Sequence, residues 1–119
     1  MTVLAVMPGK KPTKMELEGS LESMQEFVGG TIQALCHFDD PVAIICNDEG
    51  KLGGLEYNRA LRNEKGAVYD ILCGPFFVCG LGEDDFASLP ETLMETYYKL
   101  FERPELFVMV GGNLVVMGV

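Results

Sequence analysis

The amino-acid sequence predicts an α+β fold: a mostly antiparallel sheet of about six to eight strands with two helices packed on it. Three observations lead there. Short β-patterned runs recur between turns rich in glycine, proline and aspartate, and only two stretches, after Ser20 and after Ser88, have helical spacing. The runs follow one another as hairpins, without the strand–helix alternation of a parallel sheet. With 119 residues, 48% hydrophobic and 23% charged, the chain is expected to form a single domain over residues 1–119.

Taken in order, Val3 to Met7 reads as a buried strand and Lys14 to Glu18 alternates polar and apolar residues, with Pro8, Gly9 and Pro12 marking the turn of a hairpin. Ser20 is a predicted N-cap for a short helix carrying Leu21, Met24 and Val28, stopped by Gly29-Gly30. Thr31 to Phe38 alternates and Val42 to Cys46 is continuously apolar, a second hairpin turning at Asp39-Asp40-Pro41. The polar stretch that follows fits no long regular element: Asp48-Glu49-Gly50 reads as a turn, Gly53-Gly54 as a bend, and Leu55 to Leu61 as one helical turn. Val68 to Leu72 and Phe76 to Leu81 are strand-like on either side of a bulge or bend at Gly74-Pro75. Ser88 caps a second helix with Leu89, Leu93, Tyr97 and Leu100 on one face and an i,i+4 pair of Glu95 with Lys99. Leu106 to Val110 and Leu114 to Met117 form a last hairpin around Gly111-Gly112-Asn113.

The formal charge of −9 repels phosphate, so direct nucleic-acid binding is not expected; Lys10, Lys11 and Lys14 form the only basic cluster. Such a surface serves solubility in the simplest reading and is compatible with a basic protein partner. The longest uncharged run, Ile71 to Gly82, is broken by Gly74 and Pro75 and is far shorter than the roughly 20 residues of a membrane span. With no secretion signal visible either, a cytoplasmic protein without membrane association is expected. An antiparallel sheet with a free edge can also pair two copies of the chain.

Cys36, Cys46, Cys73 and Cys79 include no C-x-x-C pair and stand among apolar residues, which argues for buried free thiols and against a metal site. Cys36 and His37 are adjacent, and neighbours on a strand point to opposite faces, so they are not expected to form a nucleophile–base pair. Gly50, Gly53 and Gly54 have neither phosphate-loop nor dinucleotide spacing. The acidic runs Asp39-Asp40, Asp48-Glu49 and Glu83-Asp84-Asp85 are contiguous, whereas hard-cation loops interleave their ligands. No cofactor and no catalytic residues are therefore expected.

Asn58, Arg59 and Arg62 form the most suggestive group, since an arginine fork recognises carboxylate or phosphate and an asparagine reads an amide or base edge. Asp48 and Tyr57 complete the candidate site, with Tyr69 and Phe76 as further walls of a pocket. Alternatively, Asn58 satisfies loop backbone and Arg59 pairs with Asp48 or Asp70.

The segment from Phe38 to Leu89 resembles the domain of unknown function family 3846. Asn47, Gly50, Lys51, Leu52, Gly54, Leu55, Asn58, Arg59 and Ala60 match one family segment, and Gly74, Phe76, Phe77, Cys79, Gly80 and Leu81 match a later strand. The N-terminal VLAVMPGKKP and LESMQEFVGG agree as well, while Glu56 and Pro75 depart from the family pattern. The resemblance implies a small protein of gut-type anaerobic bacteria, their phages and conjugative elements, with no established activity. The combined expectation is a non-enzymatic accessory protein that binds a basic host or defence protein through its acidic surface. The alternative is a binder of a small nucleotide-like ligand at the 47–62 loop.

Overall fold

The apolar runs of the sequence fall where strands form. The computed structural model describes residues 1–118, in the order β1 (Thr2–Val6), β2 (Thr13–Glu16), α1 (Leu21–Val28), β3 (Ile32–Leu35), β4 (Val42–Asn47), β5 (Tyr57–Arg62), β6 (Val68–Cys73), β7 (Phe76–Leu81), β8 (Phe86–Ala87), α2 (Glu91–Phe101), β9 (Glu105–Val110) and β10 (Asn113–Gly118). Every strand pairing among the described residues is antiparallel. The expected α+β architecture holds, with ten strands in place of six to eight.

The main sheet has the order β2-β1-β7-β4-β3, with β8 added on β7. Its central strands β4 and β7 are covered on both faces, which is why they read as continuous apolar runs. Alternation sorts their side chains. Leu4, Val6, Ile44, Phe76 and Val78 face α2 and β5–β6, while Val3, Ala43, Ile45, Phe77 and Cys79 face α1. α1 buries Met24 and Val28, and its Phe27 ring meets Phe77 edge-on at 5.7 Å. Ser20 caps it as expected, its Oγ accepting from the Ser23 N–H at 3.2 Å.

α2 keeps most of the expected face, with Tyr97 and the preceding Leu89 buried and Leu93 packed against the core. Its buried residues are Met94, Tyr97 and Phe101, while Leu100 is exposed. Pro90 holds the N-cap position, so the helix starts at Glu91 and Met94, Tyr97 and Phe101 form its buried stripe. Ser88 does not cap it; its Oγ accepts from the Thr2 N–H at 2.8 Å and ties the helix entry to β1. Lys99 and Glu95 pair at 3.1 Å.

The largest correction concerns Leu55 to Leu61, expected as a helical turn: Tyr57 to Leu61 lie in strand β5, and Leu55 and Glu56 lead into it. Asn58, Arg59, Ala60 and Leu61 are all buried, so the segment shows neither strand alternation nor helical period. Its register on β6 shifts between Tyr57, opposite Cys73, and Arg59, opposite Leu72. That irregularity turns Asn58 and Arg59 into the same interior, whereas neighbours on a regular strand point apart. The two-residue β8 also escaped the pattern reading.

Between β6 and β7 the chain leaves one sheet for another at Gly74, whose φ of 77° is a conformation L side chains rarely adopt. Gly80 is needed for space: a Cβ there would stand 2.4 Å from the Ser88 carbonyl oxygen, where β8 and the α2 entry close over β7. Gly80→Ala is expected to lower stability by about 1–3 kcal/mol, read from urea unfolding; an unchanged midpoint would refute the close approach.

Candidate functional site

The polar segment after β4 divides into a turn-rich loop and β5, and the two parts do different things. Arg59 is 1% and Asn58 0% exposed. The Arg59 guanidinium spends its whole donor set inside the protein. Nε donates to the Phe101 carbonyl at 3.1 Å, Nη1 to the Asn58 carbonyl at 3.1 Å and to Asn58 Oδ1 at 2.8 Å, and Nη2 to the Lys10 and Phe101 carbonyls at 2.6 and 3.0 Å. The Asn58 amide in turn donates to the carbonyls of Val6 and Gly74 at 2.9 and 2.8 Å. Burial lowers the Arg59 pKa, against an opposing field from Glu105.

Neither sequence-based role for Arg59 survives this geometry. It pairs with neither Asp48 nor Asp70, because Asp70 is held by Lys51 and Asp48 is exposed. Nor does it present a fork to a ligand, since each N–H already has an acceptor. Asn58 does satisfy backbone, in the β1 end and the β6–β7 corner. The remaining candidates separate: Asp48 borders one cavity, Arg62 lies at another and bonds Glu105 at 2.9 Å, and Tyr57 meets Phe107 at a 54° tilt with centroids 5.3 Å apart. Phe76 is fully buried in the core.

The turn-rich loop roofs a cavity of about 220 Å³ bordered by Cys46, Asp48, Lys51, Asp70 and Cys73. Gly50 fits against β6 there, with the Cys73 carbonyl 2.9 Å from where a Cβ would be. Burial would raise the Asp70 carboxyl, but the Lys51 ammonium and the Ile71 N–H outweigh it and hold the group below its usual range. Burial pushes the Cys46 thiol up to about 11 and the Cys79 thiol up to about 12, and raises Cys73. These thiols are therefore poor nucleophiles. Cys36 is exposed, contrary to the expectation that the cysteines are buried.

A broader cleft of about 710 Å³ opens between the β3–β4 turn and the β5–β6 hairpin, with His37, Phe38, Arg62, Lys65 and Tyr69 on its walls. The Tyr69 hydroxyl bonds His37 Nδ1. Sequence spacing gives no hint of this contact, which long-range strand packing creates. Among the described residues no group of three or more His, Cys, Asp or Glu side chains could hold a metal.

Topology also collects charge. Val42 pairs with Gly80 and the Leu81 N–H donates to the Pro41 carbonyl, so Asp39-Asp40 and the Glu83-Asp84-Asp85 turn share one end of the sheet. Glu16, opposite Thr2, closes β2 at the same end. Lys10, Lys51 and Arg103 belong to the other end, where β1, β4 and α2 finish. Two of the three acidic runs of the sequence thus share one pole, while Asp48-Glu49 follows β4 at the end that holds Lys51.

A family model described as Domain of unknown function (DUF3846) matches residues 1–102, from β1 through α2. No curated protein and no solved structure matches the chain.

Arg59→Leu removes the donor to the buried Phe101 carbonyl and is expected to cost about 3 kcal/mol or more, against about 0–1 kcal/mol for Lys99→Ala, whose pair with Glu95 is exposed on both sides; equal effects in urea unfolding would refute the assignment. A thiol reagent near about pH 8 is expected to titrate Cys36 alone in the folded protein and all four thiols after denaturation. Because burial raises Cys46 and Cys79 from 9.0 to about 11 and 12, their contribution to stability is complete below pH 9.0 and fades as the pH climbs towards those values.

Proposed function

The chain belongs to the DUF3846 family, whose description assigns no activity, and from its charge geometry we propose that it is a binding protein that carries out no chemistry. The single observation behind this reading is the acidic pole, where Asp39, Asp40, Glu83, Asp84 and Asp85 stand exposed. The partner it suits is a basic protein, guided to that pole by a field that falls off with salt. If the chain is carried by a phage or conjugative element, as its resemblance implies, the partner class is a host or defence protein. The buried thiols and the saturated Arg59 fit the same reading, since they are withdrawn from solvent-borne substrates.

A second reading keeps a small nucleotide-like ligand but moves it from Asn58 and Arg59 to the His37 cleft. There Phe38 and Tyr69 offer aromatic faces and Lys65 and Arg62 offer positive charge. One pair of measurements separates the two. Binding of basic protein probes is expected to weaken as salt rises and to drop at least about tenfold for the double variant Asp84→Lys, Asp85→Lys, while nucleotides leave the melting temperature unchanged. Salt-insensitive binding would overturn the first reading; nucleotide stabilisation lost in Arg62→Ala would establish the second.

A further inference from the structure

The cavity beneath the turn-rich loop is apolar at its floor and charged at its mouth. Leu35, Cys46, Leu72 and Cys73 form the floor. The two thiols reach only the Gln33 and Ile71 carbonyls, at 3.8 and 4.0 Å, so they behave as small apolar groups and give ordered water little to bind. At the mouth stand one cation and one anion, Lys51 and Asp70, in contact with each other and 58% and 37% exposed. The roof does not depend on that pair. The Asp48 N–H donates to the Thr31 carbonyl at 2.9 Å, the Gly53 N–H to the Glu49 carbonyl at 2.7 Å and the Leu55 N–H to the Gly50 carbonyl at 3.0 Å. Asn47 Oδ1 accepts from the Glu49 N–H at 2.8 Å. The cavity is therefore preformed, which spares a ligand the cost of ordering the loop.

Size and charge select the ligand. At about 220 Å³ the cavity is smaller than the roughly 300–1,000 Å³ of drug-sized ligands, which leaves out a nucleotide. A free anion is repelled by the charge of −9 and leaves Asp70 without a counter-charge, and a simple amine leaves Lys51 without one. A zwitterion answers both groups and carries no net charge into the field. Because Lys51 and Asp70 touch each other, its two charges must also lie close together, as they do on an α-carbon. Exchange is cheap, since an exposed ion pair adds little to stability and is replaced by two charge-assisted bonds. The floor then takes an apolar side chain, and burial there is favourable. We propose that this cavity binds a small apolar α-amino acid as its zwitterion, with the ligand's ammonium on Asp70, its carboxylate on Lys51 and its side chain among Leu35, Cys46, Leu72 and Cys73.

Amide NMR titration of the full chain with valine, leucine, methionine and phenylalanine, each to about 10 mM, tests this. At least one is expected to bind, with the largest shifts at the amides of Lys51 and of Asp70 to Cys73. Analogues of the binder that lack one charge, isocaproate and isoamylamine in the case of leucine, are expected to bind at least about tenfold more weakly to the unaltered protein. Asp70→Asn and, independently, Lys51→Gln should weaken binding by a similar factor with unchanged circular dichroism, both side chains being more than a third exposed. No saturable shift with any of the four amino acids, equal binding of the analogues, or affinity that survives both variants would overturn the proposal. Neither Lys51 nor Asp70 belongs to the acidic pole, so a negative result here leaves the basic-partner reading standing.

Discussion

Asn58 and Arg59 complete the hydrogen bonding of backbone from four segments: the β1 end at Val6, the β1–β2 turn at Lys10, the β6–β7 corner at Gly74 and the α2 terminus at Phe101. The bonds to Val6, Gly74 and Phe101 are buried, where an acceptor that loses its donor is expensive. A guanidinium suits the task because it delivers several N–H groups in a fixed plane, which an ammonium cannot do. Its buried charge has no carboxylate partner among the described residues but sits at the C-terminal end of α2, where the helix dipole favours a cation, in a molecule whose net charge is strongly negative. Around this knot the β5–β6 hairpin, the main sheet and α2 acquire their relative positions.

Most of the fold was legible in the sequence because most of it obeys a simple period. Phe76 to Leu81 and the turns at Pro41 and Gly111-Gly112 needed only local rules. β5 was not legible, because its inward residues include an asparagine and an arginine, and hydrophobic periodicity is blind to polar side chains that are buried by being fully hydrogen-bonded. The same blindness turned Asn58 and Arg59 into ligand candidates. An arginine that recognises something and an arginine that fastens the fold have the same sequence signature; only the acceptors around them differ. The acidic pole lay outside the reach of local rules for another reason, since Asp39-Asp40 and Glu83-Asp84-Asp85 meet only through the pairing of β4 with β7.

Chemistry and charge are thereby separated in space. Cys46, Cys73, Cys79 and the Asn58–Arg59 pair are interior, and Asp39-Asp40 and Glu83-Asp84-Asp85 gather at the pole opposite Lys10 and Arg103. The family match ends at residue 102, just past the Phe101 carbonyl that Arg59 holds, so the matched segment contains every acceptor of the guanidinium. The β9–β10 hairpin lies beyond it, joined to β5 through Glu105 and Phe107.

The separation of 42 residues between Arg59 and Phe101 has a consequence for biosynthesis. At a translation rate of about 5–20 residues per second, the acceptor leaves the ribosome some 2–8 s after the donor. During that interval the two bonds to Phe101, from Nε and Nη2, have only water in its place, and β5 cannot seal against the nascent sheet without stranding those donors. Closure of the interior therefore waits for the final helix, a built-in checkpoint against premature compaction.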